Sequence, residues 1–318
     1  MKENEQELLV MKFGGSSVEN GAGYHHAANI IRDYSQDYRI VVVVSAMYGV
    51  TDQLYNFIDR IQLRNYFYGS KHKWNNSNQE ERILALEKRY IEVNDSIIGR
   101  PLTRSINYFG EFLRSYLKPR WKSLDPSEED FIVSYGERLS YPLLSQTLLM
   151  HGVNGVGVDP ISVIATDNFY GQANVNLGLS EYRAENHLRP LLDRGFTPVI
   201  GGFYGLSKEG RVAVLGRDGS DYSAAILANV LNARRLILWK EVDGIYSADP
   251  KLDPDAKFYS KRNHEQAKAL VLGSGAKIIH PEAIDLLKAK NIPIQIKSFK
   301  DPNLPGSLIS SEESFEGR

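Results

Sequence analysis

Four consecutive valines, Val41 to Val44, set between Ile40 and Ser45, constrain the chain more than any other feature. A strand exposed to water on one face alternates apolar and polar residues, so an uninterrupted β-branched run belongs to a parallel strand covered on both faces. The run ends in a turn at Tyr48-Gly49, and Thr51 and Asp52 then open a helix, with Thr51 suited to its N-cap. Residues 8–13 repeat the pattern: an apolar strand delivers Lys12 to a tight turn at Gly14-Gly15-Ser16-Ser17, and a helix follows Val18. Two strand–turn–helix units within sixty residues predict an α/β fold, an open, mainly parallel sheet sandwiched by helices. Its ligand would lie beyond the carboxyl ends of the strands.

Residues 60–124 break the alternation. They are polar, charged and helical in pattern, with amphipathic segments at 80–93 and 102–121 and a basic, asparagine-rich stretch at 69–79 without periodicity. They read as a helical insertion that caps the sheet. Strands are expected again at 153–158, 197–203, 235–239 and 292–297, a hairpin at 203–215, and helices at 220–231, 263–272 and 281–290. The chain then reads as one domain of 318 residues with two lobes, about 1–200 and about 201–310.

Composition excludes several function classes. Acidic and basic residues nearly cancel, 39 against 38, so the positive footprint of a nucleic-acid binder is missing. Cysteine is absent, which removes disulfides, thiolate metal sites and cysteine nucleophiles together. The opening MKENEQE lacks the apolar core of a signal peptide, and no apolar run approaches the roughly 18 residues of a membrane span. The expectation is a cytoplasmic protein with a small-molecule partner, without membrane or nucleic-acid contacts.

The candidate chemistry sits at the turns. Glycines after a strand let backbone N–H groups approach phosphate, and Lys12 can neutralise charge on a transferred phosphoryl group; a plain glycine turn with a surface lysine is the alternative. Neither the G-x-x-x-x-G-K-[ST] nor the G-x-G-x-x-G pattern occurs. Glu137, just after Gly136 at a helix start, would suit a substrate ammonium, or simply complement the helix dipole or pair with Arg138. In Val214-Leu215-Gly216-Arg217-Asp218-Gly219-Ser220-Asp221, a strand end runs through glycines into a small-residue helix, placing amides beside a guanidinium that can grip a carboxylate with two hydrogen bonds. Tyr246 could pack beside a purine and Lys251 meet phosphate oxygens, and Gly275-Ala276-Lys277 makes another glycine turn before a helix. His25 and His26 diverge on a helix and cannot chelate one ion, and His280 reads as a cap; no protein-based metal site is assigned.

Taken in order, Lys12-Phe-Gly-Gly-Ser-Ser-Val18, Val44-Ser-Ala-Met-Tyr-Gly-Val-Thr-Asp52, Gly136-Glu-Arg-Leu-Ser140, Leu215-Gly-Arg-Asp-Gly-Ser-Asp-Tyr-Ser-Ala224, residues 239–250 and Gly275-Ala-Lys-Ile-Ile-His-Pro281 closely resemble the aspartate kinases of the amino acid kinase family. The resemblance implies the amino acid kinase fold, with aspartate in the N-terminal lobe and ATP in the C-terminal lobe. It implies phosphorylation of L-aspartate to 4-phospho-L-aspartate, the step from which lysine, threonine and methionine biosynthesis begin. Lys12, Gly14, Gly15 and Ser16 would meet the phosphates; Thr51, Glu137, Arg217, Asp218, Gly219 and Ser220 would hold aspartate; Lys240, Glu241, Tyr246, Lys251, Lys277 and Ile278 would contact ATP. Asp221 would orient Lys12 or the substrate ammonium, and Mg²⁺ would be carried mainly by the phosphates. The alternatives are a relative acting on another acid, such as acetylglutamate, glutamate or carbamate, and a catalytically silent aspartate- or nucleotide-binding subunit.

Three residues depart from the usual pattern. Ser16 stands for a threonine and keeps its hydroxyl, Lys251 stands for an arginine and loses the fork, and Asp218 replaces glycine or asparagine, adding negative charge beside the carboxylate clamp. The resemblance also implies paired regulatory ACT domains after Pro305-Gly306-Ser307-Leu308-Ile309. The chain stops within ten residues of that exit, as a natural short form or a truncated one, so the expectation is no feedback by lysine or threonine. Assembly is left open, with a homodimer the arrangement to test.

Overall fold

The computed structural model describes residues 6–66, 77–97, 102–117, 123–248, 250, 253–274 and 279–311. In chain order the elements are β1 (Leu8–Phe13), α1 (Gly21–Tyr34), β2 (Arg39–Val44), α2 (Val50–Tyr66), α3 (Ser77–Ile97), α4 (Thr103–Tyr116), α5 (Pro126–Val133), α6 (Tyr135–Met150) and β3 (Gly155–Val158). There follow α7 (Leu177–His187), α8 (Arg189–Asp193), β4 (Thr197–Gly201), β5 (Tyr204–Leu206), β6 (Val212–Val214), α9 (Gly219–Val230) and β7 (Arg235–Lys240). The chain closes with β8 (Ile245–Tyr246), β9 (Phe258–Tyr259), β10 (Lys261–Arg262), α10 (His264–Ser274), α11 (Pro281–Lys288), β11 (Ile294–Ser298) and β12 (Ser307–Ile309).

Eight strands form one sheet in the order β10-β12-β11-β7-β1-β2-β4-β3. Every pairing is parallel except β11 with β12. Strand alternation divides the core in two. Leu9, Met11, Phe13, Ile40, Val42, Val44, Ile237 and Trp239 join the side chains of α1 to α6 on one face; Leu8, Val10, Val41, Val43, Leu236 and Leu238 join those of α7 to α9 and α11 on the other. The valine run is therefore buried on both faces, as its composition requires.

Strand β1 is the hinge of the topology. Phe13 lies opposite Val44 of β2 on one side and Trp239 of β7 on the other. After β1 the chain crosses to α1 on the first face, whereas α9, on the second face, leads into β7. The crevice beyond the carboxyl end of β1 is thus a topological switch point, where open α/β sheets bind ligands.

Local signals account for several boundaries. Asn20 caps α1 by accepting from Gly23 N–H, and Asp125 with Glu128 forms a reciprocal capping box that starts α5 at Pro126. The expected strands and the 203–215 hairpin are present, with ends shifted by a few residues.

Four details differ from the sequence reading. The helical insertion packs on α1 and α6 and so lies one layer out from the sheet, because amphipathic spacing reveals a buried face but not what covers it. Its two helices are locked by Arg114, which donates to both carboxylate oxygens of Glu87 at 2.9 and 2.5 Å. Of the stretch read as a loop, Ser77 to Gln79 is the first turn of α3, while residues 69–76 lie outside the described residues. Thr51 is inside α2, which starts at Val50, and so is not its cap. The segment 240–251, whose Gly244 and Pro250 predict a loop, contains β8, which pairs with β9 further along the chain as a short antiparallel ribbon.

Candidate active site

Three loop regions converge beyond the carboxyl end of β1. Strand alternation sends Phe13 into the first core, where it stacks on Trp239 at 6.0 Å, and turns Lys12 toward α9. The turns after β1 and β2 are interlocked: Tyr48 N–H donates to Gly15 O at 3.2 Å and Ser45 N–H to Phe13 O at 3.1 Å. A Cβ at Gly15 would stand 2.8 Å from Ala46 O, so only glycine permits this approach. Helix α6 presses on the same place, since a Cβ at Gly136 would meet the Ala46 Cβ at 2.5 Å. That contact carries Glu137 to the turn.

From the opposite face, α9 supplies Asp221 in its first turn. Its two oxygens each meet a lysine: Oδ1 lies 2.7 Å from Lys12 Nζ and Oδ2 2.7 Å from Lys240 Nζ at the end of β7. Lys12 is 6 % exposed and Asp221 3 %, so the pairing is desolvated and must be closely matched to be stable. Burial works against the ionised Asp221, but Lys12 and Lys240 outweigh it and hold the carboxyl at about 2. Burial likewise pushes the Lys12 amine below its ordinary value, with Asp221 opposing and Lys240 adding to the fall. Two cations around one anion leave a net positive charge at the mouth of a helix N-terminus, which suits phosphate.

Glu137 is the counterpart. It is 3 % exposed, and its Oε2 has no hydrogen-bond partner. Burial raises its carboxyl to about 8, with the Ala46 N–H, its own N–H and the Lys12 charge pulling the other way. Arg138 does not neutralise it. That guanidinium lies 3.5 Å from Asp159 and stacks over Phe131 at 5.0 Å. A buried acid with one oxygen left unpartnered is poised to accept a cation.

Arg217 stands exposed in the turn before α9, and Asp218 follows in the left-handed region at φ 57°. The Asp218 side chain makes no cap hydrogen bond, so its role is not that of a helix cap. Close packing positions this turn: a Cβ at Gly202 would lie 2.6 Å from the Ser220 Cβ, and Phe203 N–H donates to Ser223 Oγ at 2.8 Å.

A hollow of about 320 Å³ joins these groups. Lys12, Gly15, Thr51, Glu137, Arg217, Asp218, Gly219, Ser220, Asp221 and Lys240 all line it. Gly14 adjoins it, as a Cβ there would lie 3.6 Å from Lys12 Nζ. Ser16, Glu241 and Tyr246 are not among its lining residues. Tyr246 instead donates to Asp243 Oδ1 at 2.7 Å and meets Phe258 edge to face. Lys251, Lys277 and Ile278 lie outside the described residues. Asp52, Tyr55 and Phe203 also line the hollow and were not singled out from the sequence. Tyr55 had a legible signal, since it is one helical turn beyond Thr51 on the same face of α2; burial, Asp130 and Glu137 push its hydroxyl up to about 12.

His280 caps α11 by accepting from Glu282 N–H at 3.3 Å, and His25 and His26 turn to different partners, His151 and Phe299 O. Among the described residues no three His, Asp or Glu side chains converge as a metal-binding group, and no helix is long and apolar enough to cross a membrane.

The sequence matches the amino acid kinase family over residues 7–298. It is 30 % identical over 307 residues to lysine-sensitive aspartokinase 3 of Escherichia coli K12, covering 96 % of this chain and 65 % of that protein. It is also 30 % identical over 318 residues to a chloroplastic bifunctional aspartokinase/homoserine dehydrogenase 1 of Zea mays, covering 96 % of this chain and 32 % of that protein. The chain thus spans between 32 % and 65 % of the length of these two relatives. In three dimensions it superposes on E. coli aspartokinase III in complex with aspartate and ADP with a TM-score of 0.86 at 27 % identity, over 97 % of this chain and 66 % of that one.

Proposed function

The chain belongs to the amino acid kinase family, and on that premise we propose that it transfers the γ-phosphoryl group of ATP to the β-carboxylate of L-aspartate, giving 4-phospho-L-aspartate and ADP. The observation that carries this reading is the composition of the hollow: the Glu137 carboxyl with its unpartnered Oε2, the Arg217 guanidinium and the Lys12–Asp221–Lys240 cluster share one space. A free amino acid offers an ammonium to Glu137 and an α-carboxylate to Arg217. Its side-chain carboxylate is then free to face the lysines. The relatives named as aspartokinases, and the E. coli structure with aspartate and ADP, support the same substrates.

The chemistry is a displacement between anions. The β-carboxylate, with a pKa of about 4, is already ionised at neutral pH, so no general base is needed. A carboxylate oxygen forms the new bond to the γ-phosphorus, the bond from phosphorus to the β,γ-bridging oxygen breaks, and its electron pair leaves with ADP. What the protein must supply is alignment and relief of anion repulsion. Lys12 and Lys240 neutralise phosphate charge, Asp221 holds both lysines in place, and the turn at residues 14–17 presents amides. With both Asp221 oxygens engaged by lysines, this donor set suits phosphate more than a metal; Mg²⁺ would enter with ATP and be held mainly by phosphate oxygens, screening their charge.

An acid lacking a free ammonium, such as acetylglutamate or carbamate, would leave Glu137 buried without a partner, which disfavours it. The test is ADP release from Mg-ATP across a panel of aspartate, glutamate, acetylglutamate and carbamate. Turnover with aspartate well above the others is expected. Preference for another acid, or nucleotide binding without turnover on any, would overturn the reading.

A further inference from the structure

One helix of the insertion reaches three of the segments that border the hollow. Arg89 of α3 donates from Nη1 to Tyr48 O at 2.8 Å and from Nη2 to Glu19 O at 3.3 Å. Next to it, Tyr90 Oη donates to Gly136 O at 3.1 Å, one residue before Glu137. Further along α3, Ser96 sits so close to Gly21 that a Cβ there would collide with its hydroxyl. The first carbonyl belongs to the turn after β2, the second to the loop between β1 and α1, and the third to the start of α6.

We infer that Arg89 is a positioning residue for phosphoryl transfer, fixing the phosphate turn after β1 against the substrate turn after β2; this rests on the function proposed above. Between those turns the direct hydrogen bonds are few: Tyr48 N–H to Gly15 O at 3.2 Å and, at their base, Ser45 N–H to Phe13 O at 3.1 Å. Turns joined so sparingly can shift relative to one another unless something outside them holds both. A guanidinium does this with two donors set at a fixed angle in one plane, one taking Tyr48 O of the turn after β2 and the other Glu19 O, in the loop that directly continues the phosphate turn into α1. An ammonium has the charge but not the fork. The acceptors are backbone atoms, so the brace depends on where the turns lie and not on which side chains they carry. Arg89 does not line the hollow and touches neither reactant; its effect passes through the turns.

The expected kinetic signature follows from that geometry. Each turn serves a different reactant, so loosening one against the other leaves the separate affinities nearly intact and spoils the alignment of the two. Loss of alignment appears in kcat.

The experiment uses the full chain with Arg89→Ala and Arg89→Lys, read by steady-state kinetics with Mg-ATP and aspartate, thermal melting, and amide hydrogen exchange without ligands. For Arg89→Ala, kcat should fall about tenfold or more while each KM stays within about threefold, with Arg89→Lys intermediate. Exchange should rise in both turns, residues 14–18 and 45–49, at temperatures where the variant remains folded. A kcat within twofold of wild type, with only a lower melting temperature, would show a purely structural contact and overturn the inference. So would unchanged exchange in the two turns. Should the wild-type chain prove inactive on aspartate, the proposed function fails by itself, and the exchange comparison alone decides whether Arg89 braces the turns.

Discussion

Lys12 Nζ and Asp221 Oδ1 lie 2.7 Å apart, although 209 positions separate the two residues in the chain. They meet because β7, the strand that α9 feeds, pairs directly with β1. Asp221 therefore sets where the Lys12 ammonium sits and opposes the loss of its proton that burial favours.

Two substitutions separate those roles. Lys12→Met removes the charge while Asp221 keeps Lys240, and kcat should fall by about 10²- to 10³-fold, the usual cost of losing one group that stabilises transition-state charge. Asp221→Asn leaves both lysines but removes the anion that offsets burial. Lys12 works as an ammonium, and its pKa is already below the ordinary lysine value; without Asp221 it falls further. The alkaline loss of activity should move to lower pH in Asp221→Asn. An alkaline limb unchanged from wild type would show that Asp221 does not control the Lys12 proton.

Glu137 gives a second pH dependence of known sign. Its folded pKa, about 8, exceeds the ordinary 4.5, so the fold favours the neutral acid. That contribution is complete below about pH 4.5 and is lost as pH rises through 8. Glu137→Gln cannot ionise, so its melting temperature relative to wild type should climb between pH 5 and 8, by at most about 1.4 kcal/mol of stability per pH unit. Binding runs the opposite way. An ammonium partner favours ionised Glu137, so the wild-type KM for aspartate should fall from pH 6 to 8, and this slope should vanish in Glu137→Gln. Parallel melting curves for the two proteins would remove the basis of the assignment.

How far the sequence could anticipate this site depended on how local each signal was. Val41 to Val44 disclosed a doubly covered strand because burial on both faces is written into side-chain type alone. Gly15 and Gly136 stand in the motifs, but the approach to Ala46 that requires them is not local to either glycine and shows only in the fold. Of the Lys12–Asp221–Lys240 cluster, the resemblance implies that Asp221 orients Lys12 or the substrate ammonium, but Lys240 as the second partner of Asp221 is not legible, since it depends on which strands become neighbours and on α9 approaching from the second face. Thr51 has the chemistry of a cap, but α2 begins a residue earlier, and Thr51 lines the hollow, where the resemblance sets it against aspartate. Arg89 left no trace, because its partners are carbonyl oxygens that any residue provides. The insertion was recognised and misplaced by one layer, as helical periodicity reports that a stripe is buried without naming its cover.

Arg217 tests the recognition of the α-carboxylate. It lines the hollow from an exposed turn, so its loss should leave the fold intact. Arg217→Ala should raise the KM for aspartate by about ten- to a hundredfold, as expected for a lost charge-assisted pair, with the KM for ATP changing little. Arg217→Lys should recover only part of this because an ammonium lacks the planar fork. Equal increases in both KM values would instead place Arg217 on the nucleotide.

Asp218 combines a backbone constraint with a charge, and three variants distinguish them. At φ 57° the residue is left-handed, a conformation open to glycine, asparagine and aspartate but costly to others by about 1 kcal/mol or more. Asp218→Ala should therefore destabilise the fold by about that amount, whereas Asp218→Gly and Asp218→Asn should not. The charge acts on two neighbours with opposite consequences. It repels an incoming carboxylate, so Asp218→Asn should lower the KM for aspartate about threefold at neutral pH and low salt, an effect that weakens as salt is added. It also helps keep Lys12 protonated, so the same variant should lose activity at a lower alkaline pH than wild type. Tighter aspartate binding bought with an earlier alkaline loss would mean that this aspartate tunes the working pH range against affinity. A KM and pH profile identical to wild type would leave Asp218 with its backbone role alone.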